Sequence, residues 1–342
     1  MARRERLISG LDLGRMRGIE IGPLISPIVS KEESEVFYVD HADRETLQAK
    51  YANDPNVDIQ KIVPVDAVWG DRTLRECFAD NCRFDYVIAS HVIEHVPDML
   101  GWMREIADIL RPGGRLILAI PDRRFTFDYL RQTTRLSEVI DAYLRRNRRP
   151  MPAQIFDFNA NAVEIDMIAA WENRINPASL KHYVNLRYAL DRSIESVRDG
   201  KYVDGHCWVF TPSSLAAILA DLVDLDLLPY KCLHLYEPER NTNEIVLILE
   251  RLQDNSISEK EQARSSFISY LRQAGQERRV AEQELQLTRQ ALHAAETEAT
   301  ALRNRVHALE VDITALLSSR SLRITRPLRK LRAFARSLLA SR

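Results

Sequence analysis

The chain has 342 residues, 45% of them hydrophobic, and a formal net charge of −1 at pH 7. This length can bury at least one complete core, and the near-zero charge excludes a global field of the kind that attracts nucleic acid. The longest apolar stretch, residues 215–228, is interrupted by aspartates, which excludes a membrane span. The N-terminus lacks the apolar segment of a signal peptide. We therefore expect a cytoplasmic location, with attachment to the inner face of the membrane as the alternative.

Short apolar runs alternate with amphipathic segments over the first 250 residues. Five predicted strands precede residue 122 and two follow the segment 123–204. The predicted strands are 18–22, 36–40, 61–66, 84–89, 115–120, 206–210 and 244–250. Strands that alternate with helices indicate parallel βαβ units. The pattern predicts an α/β domain over residues 1–255 with a doubly wound, mostly parallel, seven-stranded Rossmann-like sheet.

Residues 123–204 interrupt this rhythm with a helical, arginine-rich insert. Because the insert follows the fifth strand, we expect it over the edge of the sheet where ligands bind. Two interpretations stay open here, a lid that recognises the substrate and a solvated helical decoration. Its arginines are Arg123, Arg124, Arg131, Arg135, Arg145, Arg146, Arg148 and Arg149.

Residues 258–318 carry two apolar positions in a heptad repeat without a stutter. This spacing predicts a coiled coil and self-association through residues 267–316. A single long helix folded back on the globular domain is the alternative. One seam position is occupied by Leu271, Arg278, Leu285, Leu292, Ala299, Val306 and Ile313, and the other by Phe267, Ala274, Ala281, Thr288, Ala295, Leu302, Leu309 and Leu316.

The last segment, residues 319–342, is basic and lacks acidic residues. Between residues 328 and 338, apolar side chains recur at helical spacing. A basic helix with an apolar stripe is typical of binding to an anionic membrane surface, which we assign to residues 320–342. Binding of nucleic acid would leave the apolar stripe unused, so we expect no nucleic-acid partner.

Polar residues follow several predicted strands directly, at the edge where α/β sheets bind ligands. The stretches 84–98, 110–114 and 38–41 carry this pattern, with the Ile-Glu-His-Val-Pro-Asp motif ending at Asp98. Together they resemble the class I S-adenosylmethionine-dependent methyltransferases, of the kind associated with bacterial surface-polysaccharide biosynthesis. The resemblance covers residues 18 to about 250 and implies S-adenosyl-L-methionine as the cofactor.

The resemblance also implies which residues contact this cofactor. After the first strand, Glu20 and Gly22 match the family motif, whereas Pro23 and Pro27 stand where further glycines are common. Proline fixes φ and removes an N–H donor, so we expect a stiffer turn. The full expected set is Glu20, Gly22, Pro23, Asp40, His41, Asp66, Ala67 and Ser90.

Two of these carboxylates match specific positions of the family. Asp40 matches the acid that holds the ribose hydroxyls, with an ordinary helix N-cap as the alternative. Asp66 matches the residue that meets the adenine amino group. Trp69 is predicted beside the ring or, equally, in the core.

Methyl transfer to a hydroxyl needs alignment and a group that takes the proton. The candidates for that group are His91, His95, Asp122 and His206. The spacing of His91, Glu94 and His95 also spells an inverted zinc-protease motif. Pro97 favours a loop or a single turn there instead of a helix that carries both histidines. We therefore expect no bound metal.

The resemblance implies an S-adenosylmethionine-dependent O-methyltransferase that acts on a sugar or glycan, and the basic tail suggests a lipid-linked acceptor. Guanidinium groups of the insert would suit a phosphorylated acceptor. Two alternatives stay open. The first is a non-catalytic scaffold with a methyltransferase-like domain at the membrane, and the second is a small-molecule or quinone methyltransferase.

Overall fold

The computed structural model describes residues 2–70, 72–78, 83–200, 202–254, 256–318 and 327–332. The chain divides into two compact units, Met1–Ala274 and Gly275–Arg342. The first unit contains the whole sheet and is described first. The described part of the second unit consists of the later part of the C-terminal helix and the helical turn 327–332.

The strands are β1 (Arg17–Ile21), β2 (Glu35–Asp40), β3 (Ala67–Val68), β4 (Phe84–Ser90), β5 (Leu110–Pro121), β6 (Tyr230–Tyr236) and β7 (Glu244–Arg251). The helices are α1 (Arg3–Leu7), α2 (Arg44–Lys50), α3 (Met99–Ile109), α4 (Leu136–Arg145), α5 (Pro152–Asn161), α6 (Met167–Trp171), α7 (Leu186–Arg198), α8 (Pro212–Asp224) and α9 (Ile257–Ser318). The start of α8 agrees with its sequence, because the Thr211 side chain caps it by accepting from the Ser214 N–H.

The strands form one seven-stranded sheet in the order β3-β2-β1-β4-β5-β7-β6. The first five strands are mutually parallel, and β7 runs antiparallel to both of its neighbours. The predicted α/β, Rossmann-like sheet is confirmed, and the sheet is mixed. The direction of β7 brings its first residue, Glu244, opposite Pro121 at the end of β5.

Alternate residues of the central strands enter two separate cores, because a strand sends successive side chains to opposite faces. Val87 of β4 and Leu116 of β5 pack on one face with α3, α4 and α8. Ile88 and Ile117 pack on the other face, where Leu7 of α1 closes the core together with the loop after β1. The two faces are therefore covered unequally, with the long helices on one side.

The connection from β1 to β2, residues 22–34, contains no helix. We call it the β1–β2 loop. The predicted alternation of strand and helix is wrong at this point. Pro23 and Pro27 lack the N–H groups that a helix needs, and the loop covers the sheet with Ile28 and Val29, both buried.

Two predicted strands differ from the structure. Residues 206–210 do not form a strand and make only an isolated parallel bridge between Phe210 and Asp122. The Trp208 indole N–H holds this segment in place by donating to the Val96 carbonyl at 2.6 Å. The seventh strand is instead β6, which pairs with β7. The third strand is also shorter than predicted. Residues 59–61 form a 3₁₀ turn, and the strand starts only after Asp66.

The first turns of α9 belong to the globular unit. Ala263 and Phe267 are completely buried in the larger core, and Ser266 Oγ accepts from the Cys232 N–H at 2.9 Å. The predicted domain boundary at residue 255 is therefore too early. Phe267 also cannot serve in the predicted coiled-coil seam, because its ring already packs on the sheet.

The predicted basic segment 319–342 lies outside the described residues, except for 327–332, which are helical and exposed. Within the described ranges, none of the helices combines the length and hydropathy of a membrane span.

Candidate active site

A cavity of about 890 Å³ opens at the carboxyl edge of the sheet. Its wall includes Gly22 after β1, Asp40 at the end of β2, and Ser90 and His91 at the end of β4. β1 and β4 are neighbours, and the strand order reverses direction between them, so the cavity lies at the topological switch point where open α/β sheets bind ligands. Its volume is near the upper end of the range of about 300–1,000 Å³ for small-molecule sites.

Left-handed backbone is concentrated beneath this cavity. Gly22 has φ +70°, Leu24 +45° and His91 +54°, and non-glycine residues adopt such values at a cost of about 1–3 kcal/mol. A Cβ on Gly22 would lie 3.1 Å from Val92 Cγ2, so glycine is required for both reasons. Pro23 is absent from the cavity wall, and its carbonyl accepts from the Ser26 N–H at 2.9 Å.

Glu20 is buried below the β1–β2 loop. Its carboxylate oxygens accept from the N–H groups of Ile28 at 2.7 Å and Val29 at 3.0 Å. Burial raises the pKa of Glu20 to about 7, although these hydrogen bonds act in the opposite direction. Glu20 does not line the cavity. The prediction that it contacts the cofactor is corrected, since its carboxylate holds the loop that forms the wall.

Asp40 is 6% exposed and lines the cavity. Its Oδ1 accepts from the backbone N–H of His41 at 2.7 Å and lies 2.6 Å from His41 Nδ1. Asp43, not Asp40, caps α2 by accepting from the Thr46 N–H. The N-cap alternative for Asp40 is therefore wrong, and its strand-end position suits ribose hydroxyls.

Asp66 and Ala67 are not part of the cavity wall. The Asp66 carboxylate accepts from the Tyr38 N–H at 2.8 Å and from Lys31 Nζ at 2.6 Å. Each oxygen thus has one partner, and a carboxylate can accept further hydrogen bonds, so the adenine contact of Asp66 stays a prediction. Trp69 lines the cavity while also packing against the larger core, which combines both roles predicted for it.

A chain of charged groups crosses the sheet edge beside β4. Arg3 donates to Ser90 Oγ at 2.7 Å and pairs with Glu244, and His91 Nε2 lies 2.8 Å from Glu244 Oε1. Burial lowers the pKa of His91, but the hydrogen bond to Glu244 and the negative charges of Glu94 and Glu244 outweigh it and raise the pKa to about 9. His91 therefore holds its proton at neutral pH, which contradicts its predicted role as a base.

The other predicted proton acceptors are at different depths. His95 lines the cavity, and its Nδ1 lies 3.0 Å from Asp204 Oδ1. His206 is buried behind it, with the two ring centres 4.7 Å apart. Asp122 is fully buried, binds the Arg124 guanidinium and does not line the cavity. Of the three, only His95 faces the acceptor space, so the prediction for Asp122 is corrected to a structural role.

The structure adds three charged residues that the sequence analysis did not include in the site. Glu244 was placed in a predicted strand, but the pattern does not show that this strand runs antiparallel. Arg3 reaches the sheet edge from α1. Asp204, at the end of the insert, returns to the cavity and binds His95. Only Glu244, a charged residue at the first position of an apolar predicted strand, could have indicated a site residue in advance.

Most arginines of the insert have partners within the protein. Arg131 is 2% exposed and pairs with Asp128 and Asp157. Four others form ion pairs and one donates to a carbonyl, in the contacts Arg124–Asp122, Arg135–Glu138, Arg145–Asp141, Arg148–Glu105 and Arg123–Tyr129. Among the described residues, Arg146 and Arg149 have no ion-pair partner, and both lie in the cavity wall.

The mixed sheet and the cavity at its switch point define a Rossmann-like domain that binds a nucleotide-type ligand. Comparison with known proteins assigns this domain to a family. The sequence profile described as "Methyltransferase domain" matches residues 5–222, more than half of the chain. The chain belongs to this methyltransferase family, and its cofactor is S-adenosyl-L-methionine.

Individual relatives are more distant. Over 61 residues, 18% of this chain, it is 39% identical to the ubiquinone biosynthesis O-methyltransferase of Methylobacterium sp. (strain 4-46). The match spans only 24% of that protein.

The chain is also similar to solved structures at low identity. An S-adenosylmethionine-dependent methyltransferase from Clostridium acetobutylicum ATCC 824 is 10% identical, with a TM-score of 0.38 over 73% of this chain and 90% of that one. The CcbJ methyltransferase from Streptomyces caelestis is 12% identical, with a TM-score of 0.37 over 73% of this chain and 89% of that one.

Proposed function

We propose that this methyltransferase transfers the methyl group of S-adenosyl-L-methionine to a hydroxyl oxygen of a sugar or glycan that carries an anionic group. The observation that supports this acceptor is the pair of arginines, Arg146 and Arg149, in the cavity wall without ion-pair partners among the described residues. Guanidinium groups bind phosphate and carboxylate through paired hydrogen bonds. Their neighbours in the insert are already engaged, so these two are the ones available to an acceptor.

The cavity provides separate regions for the two substrates. Gly22 and Asp40 line the part below β1 and β2, where the cofactor would place its methionine and ribose portions. His95, Tyr202 and Asp204 line the wall contributed by the β4 turn and the end of the insert. In this arrangement the acceptor oxygen approaches the sulfonium methyl from the insert side. Methyl transfer then depends chiefly on holding the two in line.

The insert supports the lid interpretation. It contributes Arg146, Arg149 and Tyr202 to the cavity wall, whereas a solvated decoration would leave the cavity untouched. A lid excludes water from the acceptor and fixes its orientation. We therefore assign acceptor recognition to residues 123–204.

A small-molecule phenol is the second candidate acceptor. It is favoured by the 61-residue similarity to a ubiquinone biosynthesis O-methyltransferase and by aromatic residues in the cavity wall. These are Tyr51, Trp69, Trp102 and Tyr143. Such rings pack well against a planar acceptor.

A location at an anionic membrane surface is part of the proposal. The support is the basic composition of residues 320–342, of which 327–332 form an exposed helical turn. Each basic side chain near an anionic surface contributes about 1 kcal/mol. An acceptor linked to a lipid would then be presented where the enzyme binds.

Labelled methyl transfer to three acceptors tests the proposal: a sugar phosphate, the corresponding neutral sugar and a catechol. We expect Arg146→Gln combined with Arg149→Gln to raise KM for the sugar phosphate by about tenfold or more, as expected for losing charged hydrogen bonds. Methylation of the neutral sugar should change little. Arg145→Gln is the matched control, because Arg145 pairs with Asp141 outside the cavity wall. Preference for the catechol, unaffected by the double variant, would favour the phenolic acceptor instead.

A further inference from the structure

Glu94 is a fully buried carboxylate without a compensating hydrogen bond. Its side chain is 0% exposed, and neither of its oxygens has a hydrogen-bond partner. The nearest cationic group, His91 Nδ1, lies 3.3 Å from Oε1 but not in the direction that a hydrogen bond requires. His91 therefore offsets part of the charge, but a buried carboxylate oxygen without a hydrogen bond remains costly. Both oxygens are free to accept a ligand that the described protein groups do not supply.

Two histidines converge on the same carboxylate. One ligand atom from each of Glu94, His95 and His206 lies within 4.8 Å of the others. Glu94 and His95 come from the short turn after β4. His206 comes from the end of the insert, and the Cys207 N–H holds this segment in place by donating to the Glu94 carbonyl at 2.6 Å.

Each of these histidines is oriented by a carboxylate behind it. His95 Nδ1 lies 3.0 Å from Asp204 Oδ1, and His206 Nδ1 lies 2.6 Å from Asp128 Oδ2. A ring nitrogen that donates to a carboxylate fixes the tautomer and leaves Nε2 with its lone pair. Metal-binding histidines in proteins are supported in this way almost without exception.

We propose that Glu94, His95 and His206 bind a divalent transition-metal ion of the zinc, iron or manganese class. Two imidazoles and one carboxylate are ligands that suit these ions and leave coordination positions open. Three ligand atoms at about 2.0–2.2 Å from one ion are about 3.3–3.8 Å apart in tetrahedral or trigonal geometry, so atoms within 4.8 Å of one another approach by about 1–1.5 Å at most when the ion binds. This set differs from the zinc-protease motif, because it replaces His91 with His206.

The ion's role rests on the proposed function. His95 lines the cavity, so an ion held by its ring would lie at the cavity wall, beside the space proposed for the acceptor. Binding of the acceptor hydroxyl to the ion would lower its pKa, and its proton would pass to water. The oxygen then forms a bond to the methyl carbon, while the carbon–sulfur bond breaks and its electron pair returns to sulfur.

Metal binding by the full chain tests the site without reference to methyl transfer. After treatment with a chelator and dialysis, Zn²⁺ binding is measured by calorimetry and Co²⁺ binding by visible absorption. We expect one ion per chain and a Co²⁺ spectrum characteristic of nitrogen and oxygen ligands. Glu94→Gln and His206→Ala should each weaken Zn²⁺ binding at least 100-fold. His234→Ala is the control, because His234 is exposed on β6, and it should bind like the wild type.

Glu94→Gln keeps the side-chain shape and removes a buried charge, so this variant should remain folded, as circular dichroism can verify. The proposal is overturned if the wild type binds no Zn²⁺, or if Glu94→Gln binds it as tightly as the wild type. Methyl transfer at full rate in chelator would refute the ion's catalytic role and leave the proposed function intact. Stoichiometric metal binding without methylation of any hydroxyl acceptor would support the metal site and refute the proposed function.

Discussion

Three carboxylates near the cavity have different roles although they are chemically alike. Glu20 is buried and holds the β1–β2 loop through two backbone N–H groups. Asp40 faces the cavity at the end of β2. Glu244 sits between the cations Arg3 and His91, which lower its pKa to about 2 although burial acts in the opposite direction. The role of each carboxylate is therefore determined by its hydrogen-bond partners and by the charges beside it.

Asp40→Asn should weaken the binding of S-adenosylmethionine by about 10- to 100-fold, because a charged hydrogen bond contributes about 1.5–3 kcal/mol. Calorimetric titration of the cofactor measures this change. Asp43→Asn is the control, since Asp43 caps α2 and does not line the cavity. Equal affinities in wild type and Asp40→Asn would remove Asp40 from the cofactor site.

The depressed pKa of Glu244, about 2 against the ordinary 4.5, predicts a pH dependence of stability. The folded state favours the charged form, so this contribution is complete above pH 4.5 and is lost as the pH falls toward 2. We expect Glu244→Gln to lower the free energy of unfolding by about 1–2 kcal/mol at pH 6, after allowance for solvent screening.

Urea unfolding at pH 6 and pH 3 checks this expectation, and the difference between the two proteins should shrink at the lower pH. Glu239→Gln removes an exposed carboxylate beside Arg6 and serves as the control. A difference that stays constant with pH would contradict the assigned origin of the shift.

At the scale of elements, the insert is a structured part of the domain. Its α5 and α7 contact one another, and a buried ion cluster anchors it. Arg131 binds Asp128, and Asp128 in turn binds His206 at the end of the insert. This cluster links the start of the insert to its end, which keeps Asp204 and His206 near the turn after β4.

Arg131→Leu should destabilise the protein by about 3–5 kcal/mol, because it leaves the buried Asp128 carboxylate without its cation. Urea unfolding followed by tryptophan fluorescence measures this loss. Arg135→Leu breaks an exposed pair with Glu138 and should cost less than about 1 kcal/mol. Similar losses in the two variants would show that the Arg131 cluster does not anchor the insert.

At the scale of the whole molecule, the later part of α9 leaves a row of apolar side chains exposed. Leu302, Leu309, Ile313 and Leu316 are each between 54% and 61% exposed, and they recur at the 3–4 spacing of one helix face. A long helix in water gains most of its stability from packing against a partner. We therefore infer that a second copy of the chain covers this face, starting after the buried Phe267.

Leu309→Lys combined with Ile313→Lys should convert the wild-type oligomer into a monomer, because both side chains are in the seam. Light scattering coupled to size exclusion gives the masses. Val311→Lys replaces a side chain that is 54% exposed and outside the seam, so it should leave the mass unchanged. A monomeric wild type would support the single long helix instead.

Much of the fold was predictable because its signals are local. The apolar runs that became β1, β2, β4, β5 and β7 lie within one or a few residues of their predicted positions, apart from the early start of β5. β6 was missed because the polar residues Lys231 and His234 interrupt the apolar run, and most of residues 230–236 are only half-buried. Residues 206–210 were predicted to be a strand because they form a short apolar run. Such a run indicates that residues are buried, but it does not distinguish a strand of the sheet from a segment packed beside the sheet.

The candidate site was only partly predictable. Asp40, Ser90 and His95 follow strands or a strand turn, so their place at the carboxyl edge follows from the periodicity alone. The partners of these residues could not be predicted in the same way. Glu244 meets His91 across 153 residues, and Asp204 meets His95 across 109, because β7 runs antiparallel and the insert folds back.

The class of fold, the family resemblance and the strand ends that face the ligand are predictable from local sequence, since each depends on residues a few positions apart. Other roles emerge only in the folded chain: Glu20 supports a loop, Arg146 and Arg149 are the available arginines, and His206 meets Glu94. These outcomes depend on which charged residues, far apart in sequence, become neighbours in the folded chain. Burial then makes each such pairing energetically decisive, because a charge removed from water must find a partner.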